Sequence, residues 1–313
     1  MKFRSALLFL VLALAAVGRA QDAARLVAQG DSLLAIGRAQ KAADRYTAAI
    51  ALAPTAPNYA ARARAWMNMD RMDRMLLDCE KALKADSLNP EACLLRAIYA
   101  FRSEDHRTAE RMATRALEHG AKAGQRGQAL LIRGQARTEL KDHNGAVGDL
   151  REGLGNRTED RDAMRSLARA LDALGDHAGS LAVLEQLCAV QPDDIGNWTN
   201  RGYELAALGR YDEALTIYGE ALALDKDEPT VLSNRAWTLW KLGRNDEALK
   251  DVDRSLKSYP ANPYALRTRA LLLLAKGHRE RACNDLQLAR IIGGVPEVNA
   301  LIDAHCAGMP PKR

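Results

Sequence analysis

The sequence predicts an all-α solenoid of eight helix–turn–helix repeats closed by a C-terminal capping helix, and three observations carry that prediction. Apolar and small residues recur three and four apart in paired runs, a glycine separates the runs of a pair, and the whole pattern returns after 34 residues. From Ile195 to Asp225, Trp198, Gly202, Leu205 and Leu208 run up to Gly209, and the stripe resumes as Ala214, Tyr218, Ala221 and Leu222. The spacing puts one apolar face on each of two helices, and the glycine stops the first. The next copy reads Leu232, Ala236, Leu239 and Leu242 up to Gly243, then Ala248, Val252, Ser255 and Leu256. A lone helix pair cannot bury its stripe; copies at a fixed period bury it by stacking on one another.

In that frame eight units begin at Ala23, Ala56, Pro90, Gly127, Arg161, Ile195, Pro229 and Pro263, spaced 33 to 37 residues apart. Position 8 is Gly30, Ala63, Ala97, Gly134, Ala168, Gly202, Ala236 and Ala270, small in every unit. The two helices of a unit cross there, and a larger side chain would hold them apart. Position 20 repeats the message with Ala42, Ala109, Ala146, Ala214, Ala248 and Ala282, although Met75 and Ser180 depart from it. Position 15 ends the first helix with Gly37, Gly175, Gly209, Gly243 and Gly277, replaced by Asp70, Glu104 and Lys141 in units two to four. Pro54, Pro192 and Pro260 hold position 32. Three extra residues within GAKAGQR, before Gly127, predict a longer loop or a slight break.

These residues resemble the tetratricopeptide repeat (TPR) family, whose pattern asks for Trp at position 4, Gly at 8, Ala at 20 and Pro at 32. The resemblance covers nearly the whole chain after residue 20. It implies a right-handed α-solenoid whose first helices line a concave face.

Taken in order, residues 1–20 begin with Lys2 and Arg4, continue as an uncharged run from Ala6 to Val17, and end Gly-Arg-Ala. A run of twelve is too short to span a bilayer. Small residues at Gly18 and Ala20 suit a signal peptidase, so the segment reads as a cleaved secretory signal, with an uncleaved anchor as the alternative. The protein is thus expected to be exported, periplasmic or secreted, with no membrane span after cleavage. Without Lys2, Arg4 and Arg19 the formal charge falls from +5 to +2, which leaves no electrostatic footprint for nucleic acid.

Residues 21–295 hold the eight repeats, read as one elongated domain with cores of Ala and Leu. The hydrophobic content of 48% with only 5% aromatics fits such cores. Residues 296–313 supply the cap and a tail, with Pro296 at a first helical turn and apolar Val298, Leu301 and Ile302 closing the end.

Five cysteines in an exported chain raise the question of disulfides. Cys283 on the last repeat and Cys306 on the cap are either bridged or two small buried hydrophobes. ACNDLQLAR followed by a short helix ending in Cys is similar to the C-termini of many exported bacterial TPR proteins, and that resemblance favours the bridge. Cys79 and Cys93 occupy core slots on neighbouring helices, where packing is favoured and a second bridge is open. Cys188 is the odd one, read as buried.

No HExxH, CxxC, GxSxG or GxxxxGK stretch is present. Repeats and cap occupy the chain from Ala23 to about Cys306, so neither a catalytic domain nor a cofactor is expected. His106, His143 and His177 all fall at position 17. Neighbouring helices pack about 8–10 Å apart, too far for equivalent positions to share one ion with ligands about 2 Å away. The histidines therefore read as half-buried rings and no metal is expected. Two glycosylation sequons, at Asn156 and Asn197, carry little weight.

Function then falls to a surface. The resemblance implies that positions 2, 5, 6, 9, 12 and 13 face the groove. Units three and four offer Leu94, Leu95, Ile98, Phe101, Leu131 and Ile132, an apolar strip; units six to eight offer Asn200, Tyr203, Asn234, Trp237, Trp240 and Tyr264; Arg165 and Arg169 add positive charge between them. Amides can bond an extended peptide backbone and rigid aromatics supply contact area. Trp237 and Trp240 read equally as partly buried packing. The family's clamp for a terminal carboxylate is absent: Asn234 matches it, but Thr199, Tyr203, Tyr264 and Thr268 do not. The expectation is an exported, non-catalytic adaptor that binds a protein or peptide partner in its groove; envelope glycan recognition and structural self-assembly are the alternatives.

Overall fold

The computed structural model describes residues 2–155, 160–295 and 297–307, and among them the chain forms seventeen α-helices and no strand. It divides into two compact units, one up to Ala170 and one from Leu171 onward. In a chain where each repeat touches only its neighbours, nothing in the repeat itself demands a single compact body.

The first unit holds α1 (Lys2–Ala35), α2 (Ala39–Leu52), α3 (Ala56–Asn68), α4 (Met72–Ala85), α5 (Pro90–Arg102), α6 (His106–Glu118), α7 (Ala123–Glu139), α8 (His143–Leu154) and most of α9 (Arg161–Ala173). The second holds α10 (His177–Val190), α11 (Ile195–Ala207), α12 (Tyr211–Leu224), α13 (Pro229–Lys241), α14 (Asn245–Ser258), α15 (Pro263–Ala275), α16 (Arg279–Ile292) and the cap, α17 (Val298–His305). Within each unit, paired helices pack on one another and on the next pair, and first helices touch first helices, as in α3–α5–α7 and α11–α13–α15.

Six first helices begin at the residues that open their repeats: Ala56, Pro90, Arg161, Ile195, Pro229 and Pro263. Two differ. Helix α7 starts at Ala123, where Gln125 Oε1 accepts a bond from the Lys122 N–H at 3.2 Å, so the extra residues wind into another helical turn instead of a loop. Helix α1 runs from Lys2 through the first repeat helix without interruption over 34 residues. No helix among the described residues is long and apolar enough to cross a membrane.

The crossing at position 8 is tight. A Cβ added to Gly30 or Gly202 would lie 2.4 Å from the ring of Tyr46 or Tyr218, and one added to Gly134 would lie 2.6 Å from Leu150. Tyr46, Leu150 and Tyr218 share position 24 of their units. Where position 8 is alanine, position 24 is Cys79, Ala113, Leu184, Val252 or Leu286. The two slots exchange volume, and the tyrosines occur only opposite glycine.

The turn at position 15 keeps one backbone shape whatever residue stands there. Gly37, Gly175, Gly209, Gly243 and Gly277 have φ of 74 to 80°, while Asp70, Glu104 and Lys141 have φ of 54, 59 and 69°. A left-handed residue directs the chain back into the second helix, and only glycine adopts it without a steric penalty.

A second regularity joins the helices of a pair. Arg62, Arg133, Arg235 and Arg269 at position 7 each grip the aspartate sixteen residues on, Asp78, Asp149, Asp251 and Asp285, through two bonds of 2.6–2.8 Å. All four carboxylates are buried. Bidentate geometry is what allows a desolvated pair to hold.

At the end of the chain α17 packs on α16, Val298 is buried, and Cys283 is bridged to Cys306 across a Cα separation of 5.7 Å. Pro296 lies outside the described residues. Cys79, Cys93 and Cys188 are buried free thiols, with no bridge between the first two. Asn156 lies outside the described residues, and Asn197 is only 2% exposed, which removes it as a glycan acceptor in the folded chain.

Candidate partner-binding face

Helices α11, α13 and α15 are set side by side, and each has a defined start. Asp194 caps α11 by accepting from the Gly196 and Asn197 N–H groups, Glu228 caps α13 at Val231, and Asn262 caps α15 at Tyr264 and Ala265. Pro229 and Pro263 occupy the first turns of their helices, where a missing N–H costs nothing. Along these helices position 2, with Gly196, Thr230 and Tyr264, is exposed, whereas position 5, with Thr199, Ser233 and Arg267, is buried.

Two tyrosines stand open on that face, Tyr203 and Tyr264, each 46% exposed. The Tyr264 hydroxyl donates to the Gly294 carbonyl at 2.9 Å, which ties this ring to the approach of the cap. The Tyr203 hydroxyl titrates above its ordinary value, through burial first and then the negative charges of Asp172 and Glu204, with Tyr264 and Glu297 also nearby. Asn200 is exposed and Asn234 half-buried. Among the described residues, no hydrogen bond reaches either side-chain amide. Of the sequence-derived residues, Asn200, Tyr203 and Tyr264 are exposed and Asn234 is half-buried.

The tryptophans behave differently. Trp237 and Trp240 stack on each other, with centroids 4.7 Å apart and planes at 27°. Trp240 packs against the core of α13–α17, and the Lys241 ammonium lies 4.8 and 5.1 Å from the two ring centroids. The guanidinium carbon of Arg267 sits 3.7 Å from the centroid of Trp237. Both rings are half-buried, so they shape the face more than they offer open platforms. Arg267 itself went unmarked in the sequence. It holds position 5 of the last repeat, a slot the resemblance implies for the groove and one that is buried here, as Thr199 and Ser233 are at the same position.

In the first unit the apolar strip is packing. Leu94, Leu95, Ile98 and Leu131 are 3 to 6% exposed. Leu94 and Ile98 share a core with Cys93, Ala116 and Ala129, against which Ile132 packs, and Leu95 joins the core around Trp66 and Cys79. Phe101 is half-buried beside Ala100, Ala109 and Ala136 and tilts against His106 at 5.6 Å. Leu94 and Ile98 therefore line no open surface, while Phe101 is partly covered. Alternation between core and groove cannot be read where the groove slots are themselves apolar. The two arginines are paired as well, Arg165 to Asp162 at 3.0 Å and Arg169 to Glu139.

One histidine finds carboxylates. His177 Nδ1 lies 2.8 Å from Glu204 and 3.4 Å from Asp172, and the Ser180 hydroxyl donates to Glu204 at 2.7 Å. The three potential ligand atoms lie within 4.8 Å of one another, a set that could hold a divalent cation. The grouping comes from the end of α9 and from α11, not from the other position-17 histidines. Burial pushes the Glu204 carboxyl above its ordinary value, while the bonds from Ser180 and His177 pull the other way.

Residues 199–263 and 233–289 match the family model described as tetratricopeptide repeat. No curated protein matches the chain. Solved structures that resemble it include one titled MamA MSR-1 C2, at 17% identity over 54% of this chain and 96% of that one, with a TM-score of 0.49. A tetratricopeptide repeat protein from Parabacteroides merdae has 16% identity over 91% of this chain and 99% of its own, with a TM-score of 0.41. A thermophilic TPR protein of Thermus thermophilus has 23% identity over 59% and 99%, with a TM-score of 0.42. At these values the three likenesses carry no information about a ligand.

Proposed function

We propose, from the premise that this chain is a tetratricopeptide repeat protein, that it is a non-catalytic adaptor holding an extended segment of a partner protein along α11, α13 and α15. The TPR fold is a scaffold for protein–protein interaction, and this face has what an extended chain needs. The observation that carries the reading is that α11, α13 and α15 contribute the exposed Tyr203 and Tyr264 and, between them in sequence, the half-buried Asn234. Amides at Asn200 and Asn234 can pair with a peptide backbone, and two rigid phenols give contact area at small entropic cost. Support for a non-enzymatic role is that repeats and cap account for the chain from Ala23 to Cys306. Export is part of the proposal, supported by the basic-apolar leader and by a disulfide at the cap.

The test is a crosslinking capture from the native envelope, comparing wild type with Tyr203→Ala/Asn234→Ala. Tyr203 is exposed and Asn234 half-buried, so the variant is expected to keep its helical spectrum, and its melting behaviour is compared alongside. Partners lost only from the variant support the reading. Identical partners in both samples refute it for this face.

A further inference from the structure

Arg267 is paired differently from the four arginines that grip an aspartate sixteen residues on. A guanidinium carries five N–H donors. In Arg62, Arg133, Arg235 and Arg269, two of them bond one buried aspartate at 2.6–2.8 Å. Arg267 is 7% exposed, and among the described residues its buried Nε has no hydrogen-bond partner and its polar contact is a single one from Nη1 to Glu297 Oε2 at 3.4 Å. That distance is beyond the usual range for N–H···O. Glu297 is 62% exposed at its side chain and belongs to the start of the cap, not to the repeats. Burial holds the Arg267 pKa below its ordinary value despite that carboxylate.

A cation that is desolvated, stacked on Trp237 and left with an open fork is costly unless an acceptor meets it. Its geometry suits a planar, bidentate carboxylate better than the one end-on contact it has.

We infer that Arg267 is a carboxylate receptor on the α11–α13–α15 face, that Glu297 occupies it as a displaceable stand-in, and that the partner segment presents an Asp or Glu side chain there. The inference rests on the adaptor reading above and names the chemistry of the segment. Charge around the site agrees. The Lys241 ammonium stands over the same Trp237 ring, 4.8 Å from its centroid, and no carboxylate comes within ion-pair distance of it among the described residues. Around Tyr203, by contrast, stand Asp172 and Glu204. Because Glu297 is mostly in water, its departure uncovers no apolar core.

The experiment is selection of a random twelve-residue peptide display library on the full-length protein, followed by anisotropy titration of the selected synthetic peptides. Expected is one position enriched in Asp and Glu. Changing that residue to Asn or Gln should weaken binding about tenfold, the size of a lost charge-assisted pair. Arg267→Met should abolish the enrichment. Glu297→Gln should tighten the acidic peptide and leave its amide counterpart unchanged, and this variant decides the matter even where Arg267→Met fails to fold. Peptides selected without an acidic position, or an affinity indifferent to Glu297→Gln, overturn the carboxylate inference and leave the adaptor reading standing. No selected peptide at all overturns both.

Discussion

Gly202 lies against the ring of Tyr218 so closely that a Cβ on the glycine would stand 2.4 Å from Cε1. The tyrosine is 1% exposed and has nowhere to retreat. Gly202→Ala is expected to destabilise the protein by about 1–3 kcal/mol, the cost of overpacking, although alanine is the better helix former. Adding Tyr218→Leu should recover much of the loss, because Ala168 and Ala270 sit opposite Leu184 and Leu286. A double-mutant cycle in urea measures the coupling.

The three turns without glycine make a prediction of opposite sign. Asp70, Glu104 and Lys141 hold φ between 54 and 69°, where an L side chain is strained. Asp70→Gly, Glu104→Gly and Lys141→Gly should each stabilise by about 1 kcal/mol, and the three should add, since they lie in different repeats. A rise in the denaturation midpoint without a change in slope would bear this out.

The Arg235–Asp251 pair separates loss of a partner from loss of a pair. Arg235→Ala leaves the Asp251 carboxylate buried and is expected to cost about 3–5 kcal/mol. Replacing both, as Arg235→Met/Asp251→Leu, should be nearly neutral. Equal losses in the two variants would mean that the pair is worth more than its desolvation.

Thiol reactivity tests the cysteine assignment. Burial pushes the Cys79 thiol up to about 12 and Cys188 up to about 11, which suppresses the reactive thiolate. A thiol reagent should label none of the cysteines in the native protein and three after unfolding without reductant, the bridge protecting Cys283 and Cys306. Cys283→Ser/Cys306→Ser should lower stability by about 3 kcal/mol at most, the loop-closure value.

Glu204 gives a pH dependence. Its folded-state carboxyl is raised above the ordinary 4.5, chiefly by burial. The folded state therefore binds the proton more tightly than the unfolded state. This group's contribution to stability is largest below 4.5 and declines as pH rises through the folded value. Glu204→Gln should remove that slope in unfolding measured across the acid range. Asp172 and His177 face the same carboxyl and belong in the comparison as Asp172→Asn and His177→Gln.

Much of this protein is determined by its sequence alone, because a repeat states its local rules again in one copy after another. Helix starts at Pro229 and Pro263, stops at the position-15 glycines and the small crossing residues are local constraints, and local constraints can be read one residue at a time. Pairing was decided only by tertiary structure. The volume exchange between positions 8 and 24, and the grip of position 7 on position 23, join residues sixteen apart that meet only when two helices cross. The same limit divides the candidate surface. The exposure of Tyr203 and Tyr264 was legible because polar aromatics there interrupt the apolar stripe of their helices. Leu94 and Ile98 were not legible, since an apolar residue at such a slot suits a neighbouring repeat as well as a ligand, and burial alone distinguishes them. Arg267 shows the converse: nothing in its spacing says that its donors go unmet, and only the placement of Trp237 against it and Glu297 beyond it makes that a fact about the molecule.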